Sequence, residues 1–372
     1  MNSHNHNKEK WNEAMKKEMN ALVENDTFDV PLPKKRECVG GKWVYTIKAD
    51  QFRNETYKAR YVAKGYSQVE GIDYNGTFSP TTNMSSIRLF IQLSKQHDYE
   101  IHQMDVRAAF LNAPIDCQIY VDQPQGFELK SKDNDKERLV LRLKKSLYGL
   151  KQSGRNWNNL LDTYLQKEGF IRSVNDPCFY FKPDNEIYLL VWVDDLLIAS
   201  KCDTIKHVKK SLEQNFKMKD LGIVSHFLGI QFEITDDEIS ISQSKYIETL
   251  LDRFGMQNCK PSHTPCEMKP CNHDHNCEML DDEQLQMYKQ IVGALIYIMT
   301  ATRPDISYTI TKLSQFMHNA KRCHLTMAKH TLRYLKGTIN KKLTFRKAEE
   351  INVTGFCDAD WASSPEDRKS IT

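Results

Sequence analysis

Residues 187–200 read IYLLVWVDDLLIAS, and this stretch constrains the fold of the 372-residue chain more than any other. Runs rich in β-branched and large aliphatic residues read as two strands, with Asp194 and Asp195 at the tip of the hairpin between them. Taking a carboxylate out of water without a partner costs several kcal/mol. Two readings meet that cost: a solvated turn, or a cation shared with carboxylates from elsewhere in the chain. Asp236 and Asp237 serve as an internal comparison, since they lie among polar residues and read as an ordinary turn.

Bulk properties narrow the class. Hydrophobic residues make up 40% of the chain and charged residues 27%, as in ordinary soluble proteins of two or three domains. A net charge of +3 does not by itself demand a polyanionic partner, so the placement of the bases matters more. Ten cysteines, with no apolar segment in the opening MNSHNHNKEK, point to a reducing, intracellular compartment. The longest apolar runs, such as IVGALIYIM, are about half a membrane span, and no membrane partner is expected.

Residues 9–24 carry an amphipathic helical stripe of Trp11, Ala14, Met15, Met19 and Leu22. Two alternating runs follow, around a polar turn near Asp50–Asn54. In the second run Lys58, Arg60, Val62 and Lys64 share one face, and Tyr57, Ala59, Tyr61 and Ala63 the other. The result is a β-ribbon with a basic face, and a charged face of this kind is more often simply solvated. A helix over 86–96 leads to a strand over 99–105 that ends on Asp105. The cleanest helix is 153–168, with Trp157, Leu160, Leu161, Tyr164 and Leu165 on one stripe and Gly169 as its stop. Thr204 is expected to cap a helix carrying Ile205, Val208, Leu212 and Phe216, before strands over 226–234 and 238–242.

Residues 257–282 read as a linker, and 283–337 as mostly helical, with Pro304 opening one helix and Gly337 closing another. The sum is an α+β layer, a small antiparallel sheet with helices on one face, followed by an all-α tail.

If the strand ending on Asp105 neighbours the hairpin, three carboxylates meet at one point and repel each other unless divalent cations lie among them. Hard oxygen donors suit Mg²⁺, and two such ions can clamp an in-line phosphoryl displacement. The basic ribbon would then hold a triphosphate or a phosphate backbone.

Ten blocks in order settle on a family. WNEAMKKEMNAL, KWVYTIK, KARYVAKGYSQ, QMDVRAAFLNA, SLYGLKQSGRNWN, VWVDDLLIAS, FKMKDLG, FLGI, VGALIYIMTATRPDISY and GFCDADWA with DRKS span nearly the whole chain. In this the chain resembles the reverse transcriptase region of copia-type LTR retrotransposon Pol polyproteins. The resemblance implies a right-hand polymerase of fingers, palm and thumb, with an antiparallel palm sheet. It divides the chain into reverse transcriptase (1–256), linker (257–282), helical thumb or connection (283–350) and a truncated RNase H start (351–372).

The implied activity is RNA-directed DNA polymerisation with two Mg²⁺ ions, dNTPs and a primed RNA or DNA template. Asp105, Asp194 and Asp195 match the catalytic, metal-binding aspartates, with Asp194 expected as the firmer ligand because adjacent strand residues point to opposite faces. Phe110 stands where the family carries a ring that excludes a 2′-hydroxyl. Lys58 and Arg60 are the candidate phosphate contacts, and Lys64 joins them. Gly149 and Lys151 match a stretch passing under the incoming base pair. Lys217 or Lys219 is a candidate acid for pyrophosphate, and FLGI resembles a primer grip or a plain edge strand.

Trp192 replaces the family's usual Tyr before VDD, and Gly154 replaces a Pro. Asp358 matches the first aspartate of RNase H, but the other carboxylates do not follow, so no RNA-degrading activity is expected and the chain reads as a polyprotein fragment or a decayed copy. Cys259, His263, Cys266, Cys271, His273, His275 and Cys277 fit no standard zinc spacing. A catalytically silent remnant and a non-catalytic nucleic-acid-binding module stand as the alternatives.

Overall fold

The computed structural model describes residues 2–29, 32–33, 38–49, 55–129, 139–266, 277–350, 352–362 and 368–370. The expected turn over 50–54 and three members of the Cys/His cluster, Cys271, His273 and His275, lie outside the described residues.

Helix α1 (Asn2–Glu24) is followed by strands β1 (Leu32–Pro33), β2 (Gly41–Ala49) and β3 (Glu55–Ala63). β2 and β3 form the expected two-stranded ribbon, paired from Gly41–Ala63 to Ala49–Glu55. Its faces divide as the alternation predicts: Ala59, Tyr61 and Ala63 are buried, whereas Lys58 and Arg60 lie on the outer face. Trp11 of α1 packs edge-on to Tyr45 and Tyr57, at ring-centroid distances of 5.0 and 4.6 Å, and fastens the helix to the inner face.

Helix α2 (Met84–Gln96), β4 (Glu100–Val106), the single turn α3 (Ala109–Asn112), β5 (Tyr120–Asp122) and β6 (Leu139–Arg142) come next. β1, β6 and β5 form a small sheet of their own. Helix α4 (Ser153–Lys167) fills the predicted span, and Gly169, at φ +85°, ends it in the left-handed conformation that glycine adopts without strain. Trp157, Leu161 and Leu165 of its stripe are at most 1% exposed, and each contributes about 1.5–3 kcal/mol of burial.

β7 (Ile171–Arg172), β8 (Phe179–Lys182), β9 (Ile187–Trp192), β10 (Asp195–Ser200), α5 (Cys202–Asn215) and β11 (Met218–Ile223) complete the central unit. Its six-stranded sheet runs β11-β4-β10-β9-β8-β7, antiparallel at every pairing. Helices cover both faces, not one. Leu189, Val191, Leu196 and Ile198 pack with Trp157 and Leu161 of α4 and Ile205 of α5, whereas Leu190, Leu197 and Ala199 pack with Ile87, Phe90 and Ile91 of α2. Burial on both sides is why β9 and β10 read as continuous apolar runs.

Several elements differ from expectation. Helix α5 starts at Cys202 behind an extended Lys201, so Thr204 lies inside it and is not its cap. β11 takes up most of the FKMKDLG block, a stretch to which the sequence pattern assigns no element. As an edge strand with four of six residues exposed and none buried, it shows no apolar alternation. FLGI is not one straight strand: the edge strand β12 (His226–Phe227) and β13 (Ile230–Ile234) are joined by Leu228 and Gly229, both at positive φ (50° and 74°). That is the geometry of a two-residue hairpin turn.

β14 (Glu238–Ser242) and α6 (Ser244–Arg253) lead to α7 (Asp282–Ala301), α8 (Ser307–Ser314), α9 (Arg322–Gly337) and β15 (Leu343–Arg346). Helices α6–α9 share one core around Tyr288, Leu295 and Leu332. The region is not wholly helical, since β15 pairs with β14 and completes a sheet β12-β13-β14-β15. The described part of the linker lies along α9: the Lys336 ammonium donates to Cys259 O at 2.7 Å, and Thr331 Oγ1 to Pro265 O at 3.1 Å. Residues 352–362 form no strand here, and Phe356 and Trp361 are more than 90% exposed. Among the described residues no helix is long and apolar enough to cross a membrane.

Candidate active site

Cross-strand registers set four side chains in one row across the sheet. Lys219 of β11 faces Asp105 of β4, Asp105 faces Asp195 of β10, and Asp195 faces Trp192 of β9. Val106 N–H donates to Asp194 O at 2.8 Å. Asp105 and Asp195 are therefore a non-hydrogen-bonded pair, the kind whose side chains approach closest. Burial holds the Asp195 carboxyl above the usual aspartate range. The Gln103 amide, donating at 3.1 Å, opposes that shift, and the charges of Asp194 and Asp105 reinforce it.

Asp194 is not a strand residue. It occupies, with Val193, the two-residue turn between Trp192 and Asp195, so alternation across a strand does not decide its direction. Val193 has φ +55°, a position that hairpins of this kind normally give to glycine, and a β-branched residue there stores about 1–3 kcal/mol of strain. The Trp157 indole N–H donates to Val193 O at 2.6 Å from the opposite side of the turn.

Beside this row lies an aromatic stack. Ala108, at φ +52°, turns the chain after β4 into α3 and delivers Phe110. The Phe110 ring lies 5.1 Å from that of Tyr148, and the Arg60 guanidinium lies 5.2 Å over the other ring centroid of the pair, Tyr148. Burial pushes the Tyr148 phenol up. Arg60 pulls it down, while Glu18 and Asp194 push it up again, so the phenol lies within electrostatic reach of the turn.

Gly149 (φ +89°) and Lys151 take local roles. A Cβ on Gly149 would stand 2.2 Å from Ala63 O, so the glycine lets this loop touch the end of the ribbon. The Lys151 ammonium bonds Gln68 O at 3.3 Å and the Tyr74 hydroxyl at 3.2 Å. Gly149 thus lets the loop meet the ribbon, whereas Lys151 ties it to the 68–74 segment that follows β3. Lys58 is exposed on the ribbon's outer face, two residues from Arg60.

Among the described residues, no three His, Cys, Asp or Glu side chains form a ready-made metal-ligand cluster. The donor set nevertheless suits a hard divalent cation: three carboxylates from one strand end and one hairpin, close enough that Asp195 responds to both of the others. Sequence reasoning did not single out Tyr148, Gln103 or the role of Trp157. Trp157 sits on the apolar stripe of α4, where a core side chain and a hydrogen-bond donor look alike.

An α+β protein with an acidic site at the end of an antiparallel sheet is the class these features define. The chain belongs to the reverse transcriptase (RNA-dependent DNA polymerase) family, whose sequence pattern matches residues 25–268. It is 39% identical over 371 residues to the retrovirus-related Pol polyprotein from transposon TNT 1-94 of Nicotiana tabacum, covering 96% of this chain and 28% of that protein. A similar match joins it to the Pol polyprotein from transposon RE1 of Arabidopsis thaliana, at 39% identity over 96% of this chain and 24% of the relative. A putative transposon Ty5-1 protein of Saccharomyces cerevisiae is 36% identical over 69% of this chain and 82% of its own length. The copia-type resemblance is thus borne out. The chain spans about a quarter of the two plant polyproteins, at 28% and 24%.

Proposed function

We propose that the chain is an RNA-directed DNA polymerase that joins dNTPs to a primer 3′-hydroxyl on an RNA or DNA template. The observation that carries this reading is the Asp105–Asp195 register with Asp194 at the adjoining tip. Neither a core nor an ordinary turn requires three carboxylates there, and like charges directly opposite are destabilising. Asp105 and Asp194, with Asp195 beside them, would hold two Mg²⁺ ions, which when bound would supply Lewis-acid activation of the hydroxyl and neutralise triphosphate charge.

The chain's own residues bind and orient. Asp195 accepts the Gln103 hydrogen bond, which leaves Asp194 as the firmer ligand. Arg60 and Lys58 receive the triphosphate, Arg60 through a two-pronged guanidinium contact. Phe110, backed by Tyr148, meets the sugar and excludes a 2′-hydroxyl by overlap. Lys219, cross-strand from Asp105, serves as the acid for departing pyrophosphate. In this reading the β2–β3 ribbon belongs to the fingers, the six-stranded sheet is the palm and the α7–α9 region is the thumb.

Primer extension on poly(rA)–oligo(dT) with Mg²⁺ tests the proposal, comparing wild type with Asp194→Asn. Extension by the wild type and its loss in the variant is the expected result. A wild type that extends nothing overturns it, and template binding retained without extension would mark a nucleic-acid-binding module instead.

A further inference from the structure

Trp157 is 1% exposed, and its ring packs edge-on to Phe216 at 5.4 Å. A buried indole N–H needs an acceptor. It finds one in Val193 O, at 2.6 Å, on the turn that carries Asp194. The next carbonyl along, Asp194 O, accepts from Val106 N–H at 2.8 Å. Two consecutive turn carbonyls are thus held by donors from two different elements, α4 and the end of β4.

These two bonds have a geometric consequence for one residue. The peptide planes before and after Asp194 are each anchored, one through Val193 O and the other through Asp194 O. The orientations of those two planes define φ and ψ of Asp194, and φ and ψ define where its Cβ points. Val193 makes the anchor necessary. Its φ of +55° is unfavourable for a β-branched residue, and such conformations persist only where the surroundings over-determine them. Without a donor on Val193 O, the central peptide of the turn is free to rotate and Asp194 turns with it.

We propose that Trp157 is a positioning residue for Asp194, its indole N–H holding the Val193–Asp194 peptide so that the carboxylate is aimed beside Asp105 and Asp195. The proposal rests on the nucleotidyl-transfer reading for its purpose, but the geometry it asserts is independent of catalysis. Packing alone does not call for tryptophan here, because a phenylalanine would fill most of the same core volume without donating.

Trp157→Phe tests it by three readouts. Amide exchange across 189–196 and at Val106 is expected to accelerate about tenfold, while 158–167 of α4 keeps its protection, as loss of one local hydrogen bond predicts. Mn²⁺ affinity, followed by electron paramagnetic resonance, is expected to fall by about the same factor, and kcat with it, while KM for dNTP stays within about twofold. Unchanged exchange in the turn with unchanged Mn²⁺ affinity overturns the proposal. So does loss of protection spread evenly over α4 and the sheet, the signature of a side chain that only fills space. Should Trp157→Phe fail to fold, benzothienylalanine at position 157 removes the N–H alone and is judged by the same readouts. A wild type that extends no primer, yet whose turn exchange responds to the substitution, refutes the polymerase reading and leaves the positioning role standing. A wild type that polymerises and a variant that matches it in all three readouts refutes the positioning role alone.

Discussion

Asp105 and Asp195 face each other across β4 and β10 as a non-hydrogen-bonded pair, with Gln103 donating to Asp195 from the same strand as Asp105. Two carboxylates at such positions repel, and burial adds to the cost. The folded protein therefore binds a proton at Asp195 more readily than the unfolded chain does. Stability from this group is fully present below the ordinary aspartate range and is lost as pH rises through the raised folded value. At neutral pH the pair is a net cost in the absence of a cation. Asp195→Asn is expected to raise the melting temperature by about 1–4 °C at pH 7 in metal-free buffer, and the difference should close near pH 4. Thermal unfolding of both proteins at the two pH values checks this, and a variant less stable at pH 7 contradicts it.

Phe110 rests on Tyr148, which carries Arg60 on its ring. Cutting Phe110 back to alanine opens the space assigned to the 2′-hydroxyl. Phe110→Ala should reduce discrimination against ribonucleotides by about tenfold or more, read as the ratio of kcat/KM for dNTP and rNTP. Unaltered sugar selectivity would remove Phe110 from the site.

Gly149 and Gly65 meet where the 147–151 loop touches the ribbon: a Cβ on Gly65 would stand 2.1 Å from Gly149 O, and one on Gly149 would stand 2.2 Å from Ala63 O. Gly149→Ala combines that collision with a positive φ and should destabilise the protein by about 1–3 kcal/mol or more. Urea unfolding measures the loss. Because Arg60 lies three residues before Ala63 on the same strand, KM for dNTP is expected to rise in this variant as well.

His324, at the start of α9, accepts the Lys321 N–H through Nδ1 at 3.0 Å and stacks on Phe316 at 4.0 Å. Burial, followed by the Lys321 charge, holds its imidazole below the ordinary histidine value. The neutral ring is the form that caps the helix. Its contribution is present above about pH 6.5 and is lost as pH falls through the depressed folded value. Between pH 7 and pH 5 the wild type should lose more thermal stability than His324→Asn, which keeps an acceptor that does not titrate. Equal losses would show that another group sets the acid sensitivity.

Periodic segments were legible without coordinates. The α4 stripe, the two faces of the ribbon, and the β9–β10 hairpin all follow from alternations of 3.6 or 2 residues that burial enforces. β11 and β15 were not legible, because an exposed edge strand and a four-residue strand carry too little apolar pattern to stand out. Thr204 looked like a cap because its hydroxyl is the right chemistry, but α5 begins two residues earlier. FLGI hid a hairpin turn because Leu228 gives no hint of its positive φ.

The same division holds at the site. Asp105, Asp194 and Asp195 stand out in the sequence by residue type and by their place among apolar runs, and the ordered blocks around them suffice to assign the family. What the tertiary structure alone decided is which groups lie beside them: Lys219, Trp192 and Gln103 on one face of the sheet, Tyr148 between Arg60 and Phe110, and the Trp157 indole beneath the strained turn. Local pattern encodes which side of an element meets water. The identity of the neighbour across a strand or under a turn depends on register and packing between segments far apart in the chain, and a single sequence does not contain it in readable form.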